Sequence, residues 1–217
     1  MCAGKIDVVC IVAALLPGFG IGCKGGLPWR LSKEMKYFRQ VTSGTFDKSK
    51  KNAVIMGRKT WESIPPKFRP LPNRVNVVIS RSFTDTLTRK ALDQDGKAYY
   101  EINDLKGAIN ELRNTMSEEL ERIYIIGGGQ IYSQSLDVSD KLLITKLEIE
   151  SEELETPEMD TFLQETEINK SFKECNDKLQ EYLPAETELP EPTAEGDFIN
   201  HEKGYKYQYT LYTKSDN

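Results

Sequence analysis

Arg122-Ile123-Tyr124-Ile125-Ile126-Gly127-Gly128-Gly129-Gln130-Ile131-Tyr132 is the stretch on which the fold turns. Ile123 to Ile126 is a continuous apolar run, as expected of a parallel strand covered on both faces. Three glycines then break the run and open a helix expected over Gly128–Leu136. A strand that hands over to a helix through glycines leaves bare backbone N–H groups at the positive helix end, a seat for a pyrophosphate. The spacing is neither G-x-x-x-x-G-K-[ST] nor a full G-x-G-x-x-G, so neither a P-loop nor the standard dinucleotide fingerprint is supported.

Outward from this unit the same alternation continues. Strands are expected at Asp7–Leu15, Ala53–Met56, Val75–Ser80, Arg122–Ile126 and Leu142–Leu147, with a short one near Phe172 and a last one at Lys206–Thr213. Helices are expected at Ser32–Thr42, Lys59–Ser63, Asn103–Met116 and Gly128–Leu136, Asn103 serving as a cap. The pattern is α/β: a mostly parallel central sheet in three layers with an antiparallel C-terminal edge. Between Glu148 and Lys203 the periodicity decays under Pro157, Pro184, Pro190 and Pro192, and Glu186 to Pro192 reads as an exposed loop. Because the last strand returns to the sheet, residues 1–217 form one expected domain with an acidic excursion at about 165–202.

At 217 residues the chain has enough material for one full core, and 38% hydrophobic with 29% charged residues is an ordinary soluble composition. The longest apolar run, Val8 to Leu16, falls short of the roughly 20 residues that span a bilayer, and no small-residue cleavage site follows it, so it reads as a buried strand. Cys2, Cys10, Cys23 and Cys175 form no C-x-x-C pair, and His201 is the only histidine. That argues against zinc and for free thiols in a reducing, cytoplasmic setting. Charge is unevenly spread: residues 148–203 hold 18 acids and four lysines, a net of −14. The rest holds 16 acids and 25 basic residues, a net of +9, completing the overall −5. A basic body suits anionic small molecules. Nucleic acid is the competing reading, but the basic residues do not interleave with aromatics along any one element.

Two further blocks carry chemistry. In Gly25-Gly26-Leu27-Pro28-Trp29 followed by Leu31-Ser32-Lys33-Glu34-Met35-Lys36-Tyr37-Phe38, a helix opening at Ser32 puts Glu34, Met35 and Phe38 on one side. A carboxylate among apolar side chains is costly without a hydrogen-bonding or cationic partner, and suits a grip on a protonatable heterocycle. Burial between Met35, Phe38 and Ile11 should raise its pKa. In Met56-Gly57-Arg58-Lys59-Thr60-Trp61 a strand gives way to a helix whose N-terminus favours phosphate.

These three blocks, in this order, resemble dihydrofolate reductase, the fungal form in particular. The resemblance covers residues 6 to about 163, Asp160-Thr161-Phe162 included, and resumes at Lys203–Thr213. It implies NADPH-dependent reduction of 7,8-dihydrofolate, with Glu34, Leu27 and Trp29 at the catalytic centre and a water relay to the pteridine beneath the Leu27–Trp29 turn. It assigns substrate contacts to Ile11, Val12, Glu34, Met35, Phe38, Thr60, Ile64, Pro65, Leu71, Ile126, Tyr132 and Thr145, and the folate carboxylate clamp to Arg74. Cofactor contacts fall on Ala13, Gly20, Ile21, Gly22, Lys24, Gly25 and Gly26, on Gly57, Arg58, Lys59 and Thr60, and on Ile79. They continue on Gly127, Gly128, Gly129, Gln130, Ile131 and Tyr132. Arg58, Ser80 and Arg81 match the residues that select NADPH by its 2′-phosphate. A cis peptide at Gly127–Gly128, susceptibility to antifolates, a monomeric state and no metal are implied in the same way. The sequence departs from vertebrate members at Gly26 and Met35, and by a single Arg30 between Trp29 and the helix.

Two rivals remain at this stage. The reductase of riboflavin biosynthesis shares the fold but is expected to lack the pair Glu34 and Arg74. A non-enzymatic protein could use the acidic 148–203 stretch to dock a basic partner, although a charge run is most often a solvated face.

Overall fold

The computed structural model describes residues 5–92 and 96–215. In chain order the elements are β1 (Asp7–Leu15), β2 (Gly20–Gly22), α1 (Ser32–Ser43), β3 (Lys51–Gly57), α2 (Arg58–Ser63), β4 (Arg74–Ile79), β5 (Thr88–Ala91), β6 (Ala98–Ile102), α3 (Leu105–Thr115) and β7 (Leu120–Ile125). There follow α4 (Gly129–Val138), β8 (Lys141–Ile149), β9 (Thr161–Phe162), α5 (Glu165–Ser171), β10 (Phe172–Glu174), α6 (Leu179–Tyr182), β11 (Phe198–Glu202) and β12 (Tyr205–Lys214). The sheet runs β10-β12-β8-β1-β7-β3-β4-β6-β5. Its interior, from β8 through β1, β7, β3 and β4 to β6, is parallel.

The apolar runs explain that centre. β1 and β7 are mostly buried because α3 and α4 cover one face while α1, α2 and α6 pack on the other. Both edges are antiparallel. At one, β12 lies along β8 over Tyr205–Thr213, with β10 and β11 on it; at the other, β5 pairs back onto β6. The second edge escapes a sequence reading, since Thr88-Arg89-Lys90-Ala91 is polar and mostly exposed and lacks a buried alternation. The cap of α3 is Asp104, not Asn103: its carboxylate accepts the Gly107 N–H at 2.8 Å.

The acidic excursion is more ordered than its composition predicts. Ile168, Phe172, Leu179, Leu183 and Phe198 are buried and anchor it to the body. Only its tip behaves as the expected loop, with Glu186, Glu188, Glu191 and Pro192 exposed and Thr187, Leu189 and Pro190 partly covered. Cys10, Cys23 and Cys175 are free thiols, and Cys2 lies outside the described residues. No helix among the described residues is long and apolar enough to cross a membrane.

Candidate active site

Glu34 is the one buried carboxylate among the described residues, 8% exposed in the first turn of α1. The buried stripe of that helix is Glu34, Tyr37, Val41 and Thr42, with Phe38 half-buried beside it. Met35 is 53% exposed, which corrects the expected inward face. One residue along a helix turns about 100°, so Met35 leaves the face that Tyr37 and Val41 share. Burial pushes the Glu34 carboxyl up to about 7; a hydrogen bond from Thr145 opposes this and the charge of Glu202 adds to it. Thr145 Oγ1 donates to Glu34 Oε1 at 3.5 Å, a long bond that leaves most of the carboxylate's accepting capacity unused.

The surroundings are apolar and aromatic. Ile11, Trp29, Leu31, Tyr37 and Ile126 belong to one hydrophobic cluster, with Ala13, Phe38, Ile64 and Leu71 packed on its margin. Tyr37 stacks on Tyr209 at 3.9 Å, and the Tyr132 hydroxyl donates to the Ile11 carbonyl at 3.0 Å. Val12 and Ile21 pack with Tyr132 across the sheet. Trp29 is buried with its Nε1 lacking a hydrogen-bond acceptor, whereas Leu27 is 51% exposed at the rim. A buried indole N–H without a partner is a position for a water or a ligand.

Arg74 sits at the start of β4. Its Nη1 donates to Thr42 Oγ1 at 2.7 Å and its Nε to the Pro72 carbonyl at 3.0 Å, which pins the guanidinium against α1. It has no carboxylate partner among the described residues. Burial, with Arg39 nearby, lowers its pKa to about 10, so it stays cationic at neutral pH. A fixed, partly buried fork with spare donors is built to receive an anion. Asn76 holds the adjoining turn by pairing with both the N–H and the carbonyl of Leu71.

A second group of residues gathers where parallel strands end. Gly57 of β3 is in register with Ile79 of β4, and Ile55 with Ile125 of β7. Arg58, Lys59 and Thr60, Ser80 and Arg81, and Gly127 to Gly129 therefore leave adjacent strands on one edge, where open α/β sheets take their ligands. The Gly57 N–H donates to the Gly127 carbonyl at 2.7 Å. Gly127 has φ +96°, and a Cβ there would collide with the Tyr132 ring. A Cβ on Gly129 would collide with Thr161 Cγ2, and one on Gly128 would come within 3.1 Å of Thr60 Oγ1. The Gly127–Gly128 peptide is cis, and α4 opens with no side-chain cap on its first N–H groups. Arg58 and Arg81 are exposed, with Glu62 3.7 Å from Arg58 Nε. Ser80 Oγ shares a hydrogen bond with Ser82 Oγ at 2.9 Å. Gly20, Ile21 and Gly22 form β2 beside β9, and the Lys24 N–H donates to Asp160 at 2.7 Å, leaving Gly25 and Gly26 at the open end of that loop. Gln130 and Ile131 continue into α4. Uncapped N–H groups beside exposed guanidinium groups, in a wall with no room for side chains, fit a phosphorylated dinucleotide.

The sequence motifs thus gather in two chemically different groups, a buried acid with a clamped arginine and a glycine wall with exposed guanidinium groups. A groove of about 770 Å³ elsewhere is lined by Leu16, Pro17, Lys146, Glu148, Glu174 and Tyr212 on the opposite face of β8 from Thr145. Its central polar groups satisfy one another, Lys146 and the Tyr212 hydroxyl both reaching Glu174, so it competes poorly as a reactive site. No group of three or more His, Cys, Asp or Glu that could hold a metal occurs among the described residues. Sequence reasoning missed Glu202, whose carboxylate accepts the Ser32 and Lys33 N–H groups at 2.7 and 3.0 Å. It also missed Arg39 beside Arg74. No local pattern marks either one.

Fold and site define a mixed α/β protein, and the comparisons with known proteins place it among oxidoreductases. The family described as dihydrofolate reductase matches residues 8–184. The dihydrofolate reductase of Saccharomyces cerevisiae is 52% identical over 215 residues, 99% of this chain and 100% of that protein. That of Candida albicans is 42% identical over 212 residues, covering 97% and 98%. The solved Schistosoma mansoni dihydrofolate reductase superposes with a TM-score of 0.68 at 29% identity, covering 98% of this chain and all of that one. The chain belongs to the dihydrofolate reductase family. The yeast alignment also runs through residues 165–202, where the sequence reading found little to align.

Proposed function

We propose that the chain acts as one reductase domain, residues 1–217, which reduces 7,8-dihydrofolate to tetrahydrofolate with NADPH and so supplies one-carbon metabolism. The observation that carries this reading is Glu34: a buried carboxyl with a pKa near 7 and only a long bond from Thr145. When ionised it can accept the 2-amino and ring N–H groups of a pteridine as a bidentate pair. When protonated it holds a proton close to the operating pH, where a general acid works best. Trp29 Nε1 can hold a water on the route from this carboxyl to the pteridine N5. Leu27 and Met35, both half-exposed, would be covered by substrate, while Ile64, Leu71 and Phe38 flank its aminobenzoyl arm. Arg74 would clamp its α-carboxylate.

NADPH, when bound, supplies the hydride delivered to C6 of the pteridine. Gly127 to Gly129 and the uncapped start of α4 would receive its pyrophosphate, and Arg58, Ser80 and Arg81 its 2′-phosphate. Ala13, Gly20 to Gly22, Ile79 and Tyr132 would wall the remainder. Antifolates would compete at Glu34. A monomer in the cytoplasm fits the family and the free thiols.

Absorbance at 340 nm, followed on mixing purified protein, NADPH and dihydrofolate with NADH in parallel, tests this. Rapid loss with NADPH and little with NADH is expected. No loss from folded protein would sink the reading.

A further inference from the structure

We propose that Glu202 is a positioning residue for Glu34: from the β11–β12 hairpin it grips the start of α1 and is the charged group facing the buried carboxylate. This rests on the reading of Glu34 as the pteridine anchor. Leu31, the residue before α1, offers no side-chain cap, so the first N–H groups of the helix need acceptors from elsewhere. Glu202 supplies both oxygens from 170 residues away, Oε1 to the Ser32 N–H and Oε2 to the Lys33 N–H. Glu34 is the next residue.

The grip is wider than one cap. Lys203 Nζ donates to the Arg30 carbonyl at 2.7 Å, and the Tyr205 ring meets Trp29 edge-on at 6.5 Å. Successive residues of one hairpin thus hold Trp29, Arg30, Ser32 and Lys33, the whole joint between the Leu27–Trp29 turn and Glu34. The hairpin itself is stiff. Lys203 and Gly204 both have positive φ, 51° and 79°, as a two-residue turn between paired Glu202 and Tyr205 requires. The Gly204 carbonyl accepts the Glu150 and Ser151 N–H groups, fixing the turn to the end of β8.

The charge matters separately from the grip. The titratable side chains around Glu34 are Tyr37 on α1, Tyr132 on α4, Tyr207 and Tyr209 on β12, and Glu202 on β11. All four tyrosines titrate above their ordinary value because of burial and remain neutral at working pH. Lys33 and Lys36 are exposed, and Lys36 is paired with Glu188. Glu202 loses some solvation, but the Ser32 and Lys33 N–H groups and the Tyr207 hydroxyl outweigh this and hold it below the usual carboxylate range, so it is ionised. Its negative charge disfavours ionisation of Glu34. A simple helix cap would affect stability alone; a positioning group also shifts Glu34.

The test uses the full chain with ¹³C-labelled glutamate, the Glu34 carboxyl resonance being identified by its loss in Glu34→Gln. Glu202→Gln keeps one acceptor for the helix and removes the charge; it should lower the Glu34 midpoint by about half a unit to one unit. The fall of the hydride-transfer rate with pH should move the same way. Glu202→Asp keeps the charge but shortens the reach, and should leave the midpoint in place while kcat/KM for dihydrofolate falls roughly tenfold. If Glu202→Gln fails to fold, the aspartate variant decides by that split. An unchanged midpoint in Glu202→Gln, or unchanged kcat/KM in Glu202→Asp, would overturn the proposal. Failure of the wild type to oxidise NADPH would instead remove the reductase reading and leave the carboxyl titration to stand alone.

Discussion

Glu34 and the glutamates at the tip of the excursion are the same side chain in opposite settings. Glu34 is buried, has no cation against it among the described residues, and is pushed up to about 7 by desolvation. Glu186 and Glu188 are exposed, each paired with a lysine of the body, Lys48 and Lys36, and the side-chain hydrogen bonds from those lysines hold both below the usual carboxylate range. The excursion follows the ordinary rule that charges stay wet and paired. The cleft breaks that rule and keeps a carboxyl whose ionisation opposes folding. Such a group persists where a ligand needs it. Arg74 makes the same point with the other sign, a partly buried guanidinium with hydroxyl and carbonyl neighbours but no carboxylate among the described residues.

If the contrast is functional, removing the buried acid should damage turnover most. Glu34→Ala is expected to lower the hydride-transfer rate by roughly 10²–10⁴-fold, the usual contribution of a positioned acid or base. Stopped-flow single turnovers at neutral pH read this directly, and near-normal rates would end the assignment. Arg74→Ala comes next: dihydrofolate binding should weaken by about 2–5 kcal/mol, the cost of truncating one partner of a buried charge pair. Fluorescence titration should show this loss for dihydrofolate and little loss for a pteridine lacking the glutamate tail. Equal losses for both ligands would free Arg74 from the clamp.

Much of this was legible from the chain. The runs at Val8–Leu15, Val77–Ile79 and Ile123–Ile126 are apolar throughout because helices cover both faces of the sheet, and the glycine block marks the strand-to-helix turn beside them. What failed to show has physical reasons. Helical phase separates Met35 from Tyr37 by less than a turn, and only packing against Tyr209 decides that Tyr37 goes inside. β5 and β11 are edge strands, where pairing without burial leaves no alternation to read. Glu202 reaches α1 through tertiary structure alone. Acidic composition concealed the apolar anchors Leu179, Leu183 and Phe198, so a deletion of residues 176–200 would remove core. Point changes at the tip are the cleaner probe.

The stability of the ligand-free protein offers a sharper contrast. Below pH 4.5 Glu34 is protonated both folded and unfolded and costs nothing. As pH rises from 4.5 toward 7 the unfolded chain loses its proton first, so the folded state loses stability, and the full cost is present above about 7. Glu34→Gln stays neutral throughout. It should therefore be more stable than wild type at pH 8 by roughly 3 kcal/mol, a gain that shrinks toward pH 4.5. Urea melts at the two pH values check this, and a pH-independent difference would mean that Glu34 is not buried as a charge.

The excursion should give the smallest effect, and in the opposite pH sense. Glu186 and Glu188 sit below their ordinary values, so their pairs stabilise at neutral pH and fade as the carboxylates are protonated in acid. Both carboxylates are exposed, and surface pairs of this kind contribute about 0–1 kcal/mol. The double variant Glu186→Gln with Glu188→Gln is expected to leave kcat unchanged and the urea midpoint almost unmoved, less so still at high salt. A large loss of stability would mean that these pairs hold the excursion on α1, where Gln40 already bonds the Glu186 carbonyl and the Glu188 N–H. The division between a costly buried acid and inexpensive surface ones would then have to be redrawn, because a grip on α1 is also a grip on Glu34.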